Sequence, residues 1–533
     1  MGILADWNNP YLTFTPNYVI QQLKAFLLLY EKGLLYRDFL PIYWSPSNVT
    51  TLAEAELEYN ENHKGHSLYF KFQVLPSSFS FYQNVYALIW TTTPWTLPAN
   101  QAIAFSKSLN YNIARAQDGT HFIVARELIP DIQKNLNTTL VSKYSLQPDD
   151  LKNLKYIHPM KSDQPLPFLE SSHVNVDKGT GLVHCAPNHG HDDFNLALKH
   201  KLKIEPCLVN ELGRFVSGLD SMLDGKDVLE NGSDAVMTKL SENVVSWKEY
   251  YHKYPYDWRS KKPVIIKTSQ QWFININSIR EQCLKALDSV TFYPNGAREQ
   301  MKNDINSRPP WCVSRQRTWG VPIPVFYCSE DKDQRVEIFS KESVEHLIQL
   351  IVEKGIHAWW MLPEEQLMSA KMKNSLKITS DLVKSKDIFD VWVDSGLSWN
   401  YILNEPNKTA DMYLEGLDQT RGWFQSSLIL SVALQSKAPY KSVYVHGFAV
   451  DSEGRKMSKS LGNIINPLDL LKDYGADVLR WYVARHASSH SNVPIDYAKF
   501  KTCKESVFKV ISMINLIIII IMTIIILLIL ILI

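Results

Sequence analysis

At 533 residues, with 45% hydrophobic and 21% charged residues, the chain holds enough apolar material for two or three cores and is too apolar to be disordered. A formal net charge of +1 excludes binding of nucleic acid by bulk charge, so such a partner must be held by local basic patches and by shape. The six cysteines (Cys185, Cys207, Cys283, Cys312, Cys328 and Cys503) include no C-x-x-C pair, which speaks against a zinc ribbon or a disulfide framework and for reduced thiols.

The first periodic segment is helical, with apolar positions at Val19, Leu23, Phe26, Leu27 and Tyr30 and an end near Gly33. A strand over residues 39–44 and a Ser-Pro-Ser-Asn turn at 45–48 follow. From about residue 66 to 215 short strands dominate, at 68–72, 85–90, 122–125 and 181–184, and helical and strand signals then mix until about residue 265. Beyond it, strands at 387–393, 412–415 and 443–446 alternate with helices, including a long one over 422–434. This order predicts an α/β fold in which a Rossmann-like domain with a parallel sheet is interrupted by a β-rich insertion. The expected divisions are 1–50 for the first part of the interrupted domain, 51–265 for the insertion, 266–450 for the second part, 451–511 for a loop with its following helices, and 512–533 for a tail. Candidate basic patches are Arg259, Lys261, Lys262 and Lys267, then Arg308, Arg315 and Arg317. Residues 516–533 are aliphatic apart from Met522 and Thr523, and Lys501, Lys504 and Lys509 precede them. The run has the roughly 18 to 20 apolar residues that a bilayer demands. Its nearly pure Ile/Leu composition, without an aromatic belt, makes an aberrant low-complexity reading the expectation and a membrane anchor the alternative.

The most specific motif is Gly454-Arg455-Lys456-Met457-Ser458-Lys459-Ser460, placed after the strand at 443–446 and backed by Gly462 and Asn463. Two lysines two residues apart on a loop bring two ammoniums to a polyphosphate and offset charge that builds as pyrophosphate leaves. Asn466 is then the predicted N-cap of a helix, with Pro467 in its first position and Asp469 in its first turn. This loop resembles the second signature of class I aminoacyl-tRNA synthetases. The resemblance extends over nearly all of residues 1–511, through Trp311-Cys312-Val313-Ser314-Arg315-Gln316-Arg317-Thr318-Trp319-Gly320, Asp390-Val391-Trp392-Val393-Asp394-Ser395-Gly396, and the stretch from Asp411 to Phe424. The form R-G-W-F-Q-S-S at residues 421–427 and His446-Gly447-Phe448 point to the isoleucine branch over the valine and leucine branches.

The resemblance implies Lys456 and Lys459 as catalytic, Lys459, Ser458, His446 and Gly447 at ATP, and Glu415, Gly416, Asp418, Gln419 and Trp392 at the aminoacyl-adenylate. Val393 and Leu417 depart from the family, which more often has Phe and a small polar residue there. ATP with its magnesium, isoleucine and isoleucine tRNA are the implied partners. No zinc and no protein partner are implied, and a membrane enters only through the tail. The expected compartment is the mitochondrial matrix, with the cytoplasm as alternative.

Within the insertion, the strand at 85–90 runs into Thr91-Thr92-Thr93-Pro94-Trp95-Thr96-Leu97-Pro98-Ala99-Asn100. Gly179-Thr180-Gly181-Leu182-Val183-His184-Cys185-Ala186-Pro187 and His189-Gly190-His191-Asp192-Asp193 come later. A pocket that hydrolyses an aminoacyl ester needs an anion for the α-ammonium, groups that orient a water, and a limit on side-chain size. Asp193 supplies the first, and Thr91, Thr92, Thr93, Asn100 and His184 are candidates for the second. Together these segments resemble the synthetase editing domain. His184, His189, Asp192 and Asp193 also suggest a metal site, but no third cluster with ligand spacing accompanies them.

A class I site also uses an early H-x-G-H at a strand-to-helix turn, where imidazoles and a helix N-terminus meet the phosphates. His63-Lys64-Gly65-His66 has those letters but is read as a chance match, with no strand before it and no helix after it. The expectation is therefore a stretch of a synthetase without that motif and without anticodon-binding helices, impaired in activation. A valyl-tRNA synthetase and a deacylase or tRNA-binding module using only the insertion are the rival readings.

Overall fold

The computed structural model describes residues 3–75, 84–328, 337–368, 370–376, 381–403, 408–457, 461–489 and 491–532. The helix Pro16–Glu31 opens the fold: Thr15 caps it by accepting from the Tyr18 amide, Pro16 occupies the first turn, and Gly33, at φ +66°, follows it. Val19, Leu23, Phe26 and Leu29 are buried, whereas Tyr30 is exposed and lies off the stripe. Strand β1 (Leu35–Ser45) follows, and β2 (Thr50–Leu52) folds back on it.

From there β3 (Leu57–Val74) carries the chain out into the insertion, and a later strand, Val244–Asp257, returns beside it. Between them lie β4 (Val85–Thr91), β5 (Ala102–Phe105), β6 (Tyr111–Arg115), β7 (His121–Ala125), β8 (Val141–Leu146), β9 (Lys155–His158), β10 (Lys161–Glu170) and β11 (Val183–Cys185). With the returning strand, β12, they form a mixed sheet in the order β11-β5-β10-β9-β3-β4-β7-β6-β8, with β12 on β3. Phe70, Phe72, Ile89, Ile113, Ile123 and Tyr156 lie in its buried core.

The chain re-enters the first domain on β13 (Ile265–Ile274), antiparallel to β1 from Leu35↔Ile274 to Trp44↔Ile265. Three short strands then form an all-parallel sheet, β14 (Thr291–Tyr293), β15 (Tyr413–Gly416) and β16 (Ser442–His446), with β16 in the centre. The helix Trp423–Gln435 is buried along most of its length, as a helix apolar on all sides must be.

Three expectations need correction. The letters H-x-G-H do have a strand before them, because residues 57–74 form one continuous strand and His63-Lys64-Gly65-His66 lies inside it. That strand was invisible because the β3–β12 ribbon has no alternating apolar face. Lys64 and Lys253 pair with Glu249 and Glu61, while His63 stacks on Tyr254 and meets His252. Second, residues 387–393 are a strand only at Ile388–Phe389: Asp390 accepts from the Trp392 amide at 3.2 Å and starts the helix Val391–Gly396. Third, the proposed basic patches are surface clusters only in part, with Arg259, Lys261 and Lys262 exposed. Arg315 and Lys267 are buried, and burial pushes Arg308 down to about 10, with its guanidinium 5.5 Å from the Trp311 ring.

The chain ends in the helix Tyr497–Leu532, whose Phe500 and Cys503 pack against Leu470, Val478 and Tyr482. A 31-residue stretch, Tyr497–Leu527, is long and apolar enough to cross a membrane, and its most apolar part is buried against nothing.

Candidate functional site

In the insertion, Thr93, Asn100 and His184, singled out from the sequence, meet around the 3-10 turn Pro94–Ala99. Pro94 and Pro98 have no amide hydrogen, so this turn has few internal hydrogen bonds and is held from outside. Its Thr96 hydroxyl donates to the Thr93 carbonyl at 2.9 Å, and lies 2.9 Å from His184 Nε2. A hydroxyl has one proton, so His184 Nε2–H is the donor to Thr96. His184 Nδ1 then accepts from Asn100 Nδ2 at 2.8 Å, and the second hydrogen of that amide reaches the Ala102 carbonyl at 3.0 Å. Tyr156 donates to Asn100 Oδ1 at 2.5 Å, which fixes the amide orientation. Every polar atom in the Asn100 and His184 side chains is thus engaged inside the protein. They hold the residues around them and are not free to orient a water, which corrects the part assigned to them from the sequence.

Thr91 Oγ1 receives the Thr93 amide at 3.1 Å, Thr92 and Thr93 are half-buried, and Thr91 is buried. Asp193 sits in the first turn of the helix His191–Lys199 and accepts from the Ala186 amide at 2.9 Å, two residues beyond His184. Burial pushes its carboxyl up from the usual range. A Cβ at Gly190 would lie 3.0 Å from Asp193 Oδ2, so this close approach depends on glycine. Burial depresses four imidazoles here: His184 to about 3, His158 to about 3, His189 to about 4, and His191 in the same direction. His189 Nδ1 is engaged by the Ile266 carbonyl at 2.9 Å, and among the described residues no three His, Cys, Asp or Glu side chains converge as metal ligands.

The second site lies at the carboxyl ends of the parallel strands, where open α/β sheets bind ligands. Glu415 pairs in register with Val445, and Gly416 with His446. Glu415 and Asp418 are exposed, and Gln419 and Trp392 are half-buried. Gln419 donates to Asp418 Oδ2 at 2.9 Å and accepts from the Trp423 amide at 3.0 Å, which orients it over the start of the helix Trp423–Gln435. Trp392 reaches the same place, because a Cβ at Gly422 would stand 2.7 Å from its ring. His446 Nδ1 donates to the Gly447 carbonyl at 2.8 Å, and Gly447 packs against residue 491 where a Cβ would come within 2.3 Å of the Ser491 carbonyl oxygen.

Lys456 comes to this end of the sheet, its ammonium 5.4 Å from the Phe448 ring. Ser458 and Lys459 lie outside the described residues. The base of their loop is clamped by Asp451, which accepts from Asn463 Nδ2 at 2.9 Å and from Arg455 at its backbone amide and Nε, both at 2.8 Å. The bonds from Asn463 and Arg455 hold the Asp451 carboxyl well below the usual range. Asn466 accepts from the Leu468 amide at 3.0 Å, so it caps the next helix.

The family model described as tRNA synthetases class I (I, L, M and V) matches residues 1–496. The chain belongs to that family. Mouse mitochondrial isoleucine--tRNA ligase is 42% identical to it over 529 residues, covering 96% of this chain and 52% of its own. The corresponding protein of Macaca fascicularis is 44% identical over 503 residues, covering 91% and 50%. Isoleucine--tRNA ligase of Microcystis aeruginosa is 41% identical over 501 residues, covering 91% and 52%. The chain thus spans about half the length of the curated relatives it matches, and both mitochondrial and bacterial proteins are among them.

Two groups that hold the site at the strand ends together were not singled out from the sequence. One is Glu56, which pairs with Arg315 at 3.3 Å and Arg317 at 2.7 Å, while Arg315 also pairs with Asp390 at 2.9 Å. The other is Trp423, whose indole donates to the Ser395 carbonyl at 2.9 Å and stacks on Tyr413 at 3.9 Å. R-G-W-F carried a signal for Trp423; nothing local marks Glu56. At Gly422, an added methyl would also meet Gln419 Oε1 at 2.6 Å, so Gly422→Ala is expected to displace Trp392 and Gln419 together. The expected loss of stability is about 1–3 kcal/mol, as for other overpacked contacts, and denaturant unfolding checks it.

Proposed function

We propose that this chain carries the proofreading site and one part of the activation site of an isoleucine--tRNA ligase. The ligase would join isoleucine to ATP as the adenylate, pass it to isoleucine tRNA, and hydrolyse valine wrongly placed on that tRNA. The observation that carries the reading is that in the insertion Thr91 and Thr93 are tied through Thr96 to a buried, fully bonded His184–Asn100 pair, with Asp193 bonded to the Ala186 amide two residues beyond His184. An apolar pocket distinguishes ligands differing by one methylene by only about 1–3 kcal/mol, a limit for which isoleucine against valine is the standing example. A second, smaller hydrolytic sieve removes what that limit lets through.

In this reading the Asp193 carboxylate receives the α-ammonium of the valyl ester, and the threonine segment orients the attacking water. At the strand ends, Glu415, Gly416, Asp418, Gln419 and Trp392 hold the adenylate. His446, Gly447, Ser458 and Lys459 hold the nucleotide, and Lys456 and Lys459 offset charge on the departing pyrophosphate. Magnesium arrives on the phosphates. The compartment proposed is the mitochondrial matrix, supported by mammalian mitochondrial relatives at 42–44% identity.

Hydrolysis of valyl-tRNA specific for isoleucine, with the chain held in nonionic detergent, tests the reading. The wild type is expected to release valine and to spare the isoleucyl ester. Asp193→Ala, by losing one charge-assisted contact of about 1.5–3 kcal/mol, is expected to slow release roughly 10- to 150-fold. Absence of valine release by the wild type would sink the proposal. Isoleucine-dependent pyrophosphate exchange is expected to be undetectable, since among the described residues no H-x-G-H stands at a strand-to-helix turn.

A further inference from the structure

The turn that carries Thr96 and Asn100 is gripped from the neighbouring hairpin, and the grip centres on one histidine that faces no ligand. His158 is wholly buried at the end of β9. Its Nε2 lies 3.0 Å from the Leu97 carbonyl, and its Nδ1 receives the Met160 amide at 3.1 Å. A carbonyl only accepts, so the ring is the neutral Nε2–H tautomer. The Leu97 carbonyl also takes the Asn100 amide at 3.0 Å, so one oxygen joins the turn to β9 and to its own last residue. Lys161, three residues on, donates to the Asn100 carbonyl at 3.1 Å while paired with Glu205. With Pro94 and Pro98 removing two amide donors, these outside bonds set where the turn stands, and therefore where Thr96 and Asn100 hold His184.

We propose that His158 is a positioning residue for hydrolysis in the insertion. It donates to Leu97, sets the Pro94–Ala99 turn, and through Thr96, His184 and Thr93 places the threonine segment against the ester. This rests on reading that site as a proofreading pocket. A histidine buried merely to fill the core would be replaceable by any ring of like size. One that acts by donating requires a replacement with an amide in the same place, and glutamine puts its Nε2–H near that of the imidazole.

The experiment compares the full chain with His158→Phe and His158→Gln in detergent, using isoleucine tRNA charged with valine. His158→Phe is expected to lower kcat for valine release at least tenfold with KM changed less than twofold, and His158→Gln to recover most of it. Deuterium exchange of the peptide covering residues 91–101 is followed in parallel. It is expected to quicken in His158→Phe and to return toward wild type in His158→Gln. Equal activity of His158→Phe and wild type, or equal loss in both variants, overturns the proposal. A wild type that releases no valine while exchange still separates the two variants refutes the proofreading reading and leaves the grip on the turn intact. Exchange that is alike in all three overturns the grip as well.

Discussion

Arg315→Met is expected to destabilise the first domain by about 3–5 kcal/mol, the range seen when one partner of a buried ion pair is removed. Arg315 is 1% exposed and stands between Asp390 at 2.9 Å and Glu56 at 3.3 Å, with Nη1 donating to the Cys312 and Ser314 carbonyls. Glu56 keeps Arg317 at 2.7 Å after the substitution, so the loss falls mainly on Asp390, which keeps hydrogen bonds from the Trp311 indole and the Trp392 amide and the charge of Arg308 farther off. Burial already pushes the Asp390 carboxyl up against the opposing pull of Arg315. Without that pull it rises further and takes a proton more readily. The deficit should therefore shrink as pH falls, a trend that loss of packing alone would not give. Adding Asp390→Asn should restore part of the stability, because the uncompensated charge is then gone. Denaturant unfolding at pH 8 and pH 5.5 for the two single variants and the double variant measures all three statements. An Arg315→Met curve unchanged from wild type would show that the network contributes nothing.

Acid should unfold the insertion steeply. His158, His184 and His189 sit at about 3, 3 and 4 in the fold against 6.5 when solvated. Below pH 6.5 the unfolded state binds three protons that the folded state refuses, so the stability these groups contribute is full above 6.5 and is lost as pH falls toward 4. Each proton is worth about 1.4 kcal/mol per pH unit, so three give a slope of up to about 4 kcal/mol per unit. Asp193 opposes this, since burial raises its pKa and its folded form holds a proton that the unfolded form releases. One carboxyl offsets at most one of three protons, and the histidines win. The midpoint of thermal unfolding of the insertion should thus fall sharply between pH 6.5 and 4.5, and His158→Gln should make the slope shallower by about a third. A midpoint independent of pH over that range would mean that these rings are not held neutral.

Much of this was legible from short-range pattern. The helix over 422–434 was expected and Trp423–Gln435 is found; the strand at 443–446 is Ser442–His446; Asn466 caps its helix as its place before Pro467 implied. Each is decided within one or two turns of chain, where apolar spacing and capping act directly. The β3–β12 ribbon was missed over residues 57–66 because its stability comes from partners about 190 residues away, and its two faces carry charge and aromatic rings in place of an apolar stripe.

The sequence by itself determined the family and the interruption of an α/β domain by a β-rich one, since both are written as local order along the chain. Only the tertiary structure decided what several of the motif residues do. It turned Asn100 and His184 from candidates for orienting water into a bonded support, made Arg315 an internal counter-charge, and brought Glu56 and His158 into play. The physical reason is that a hydrogen-bond partner or counter-ion acts over about 3 Å of space irrespective of sequence separation. Glu56 and Arg315 are brought together across the whole insertion, 259 residues apart, and His158 at a strand end meets Leu97 in the 3-10 turn 61 residues away.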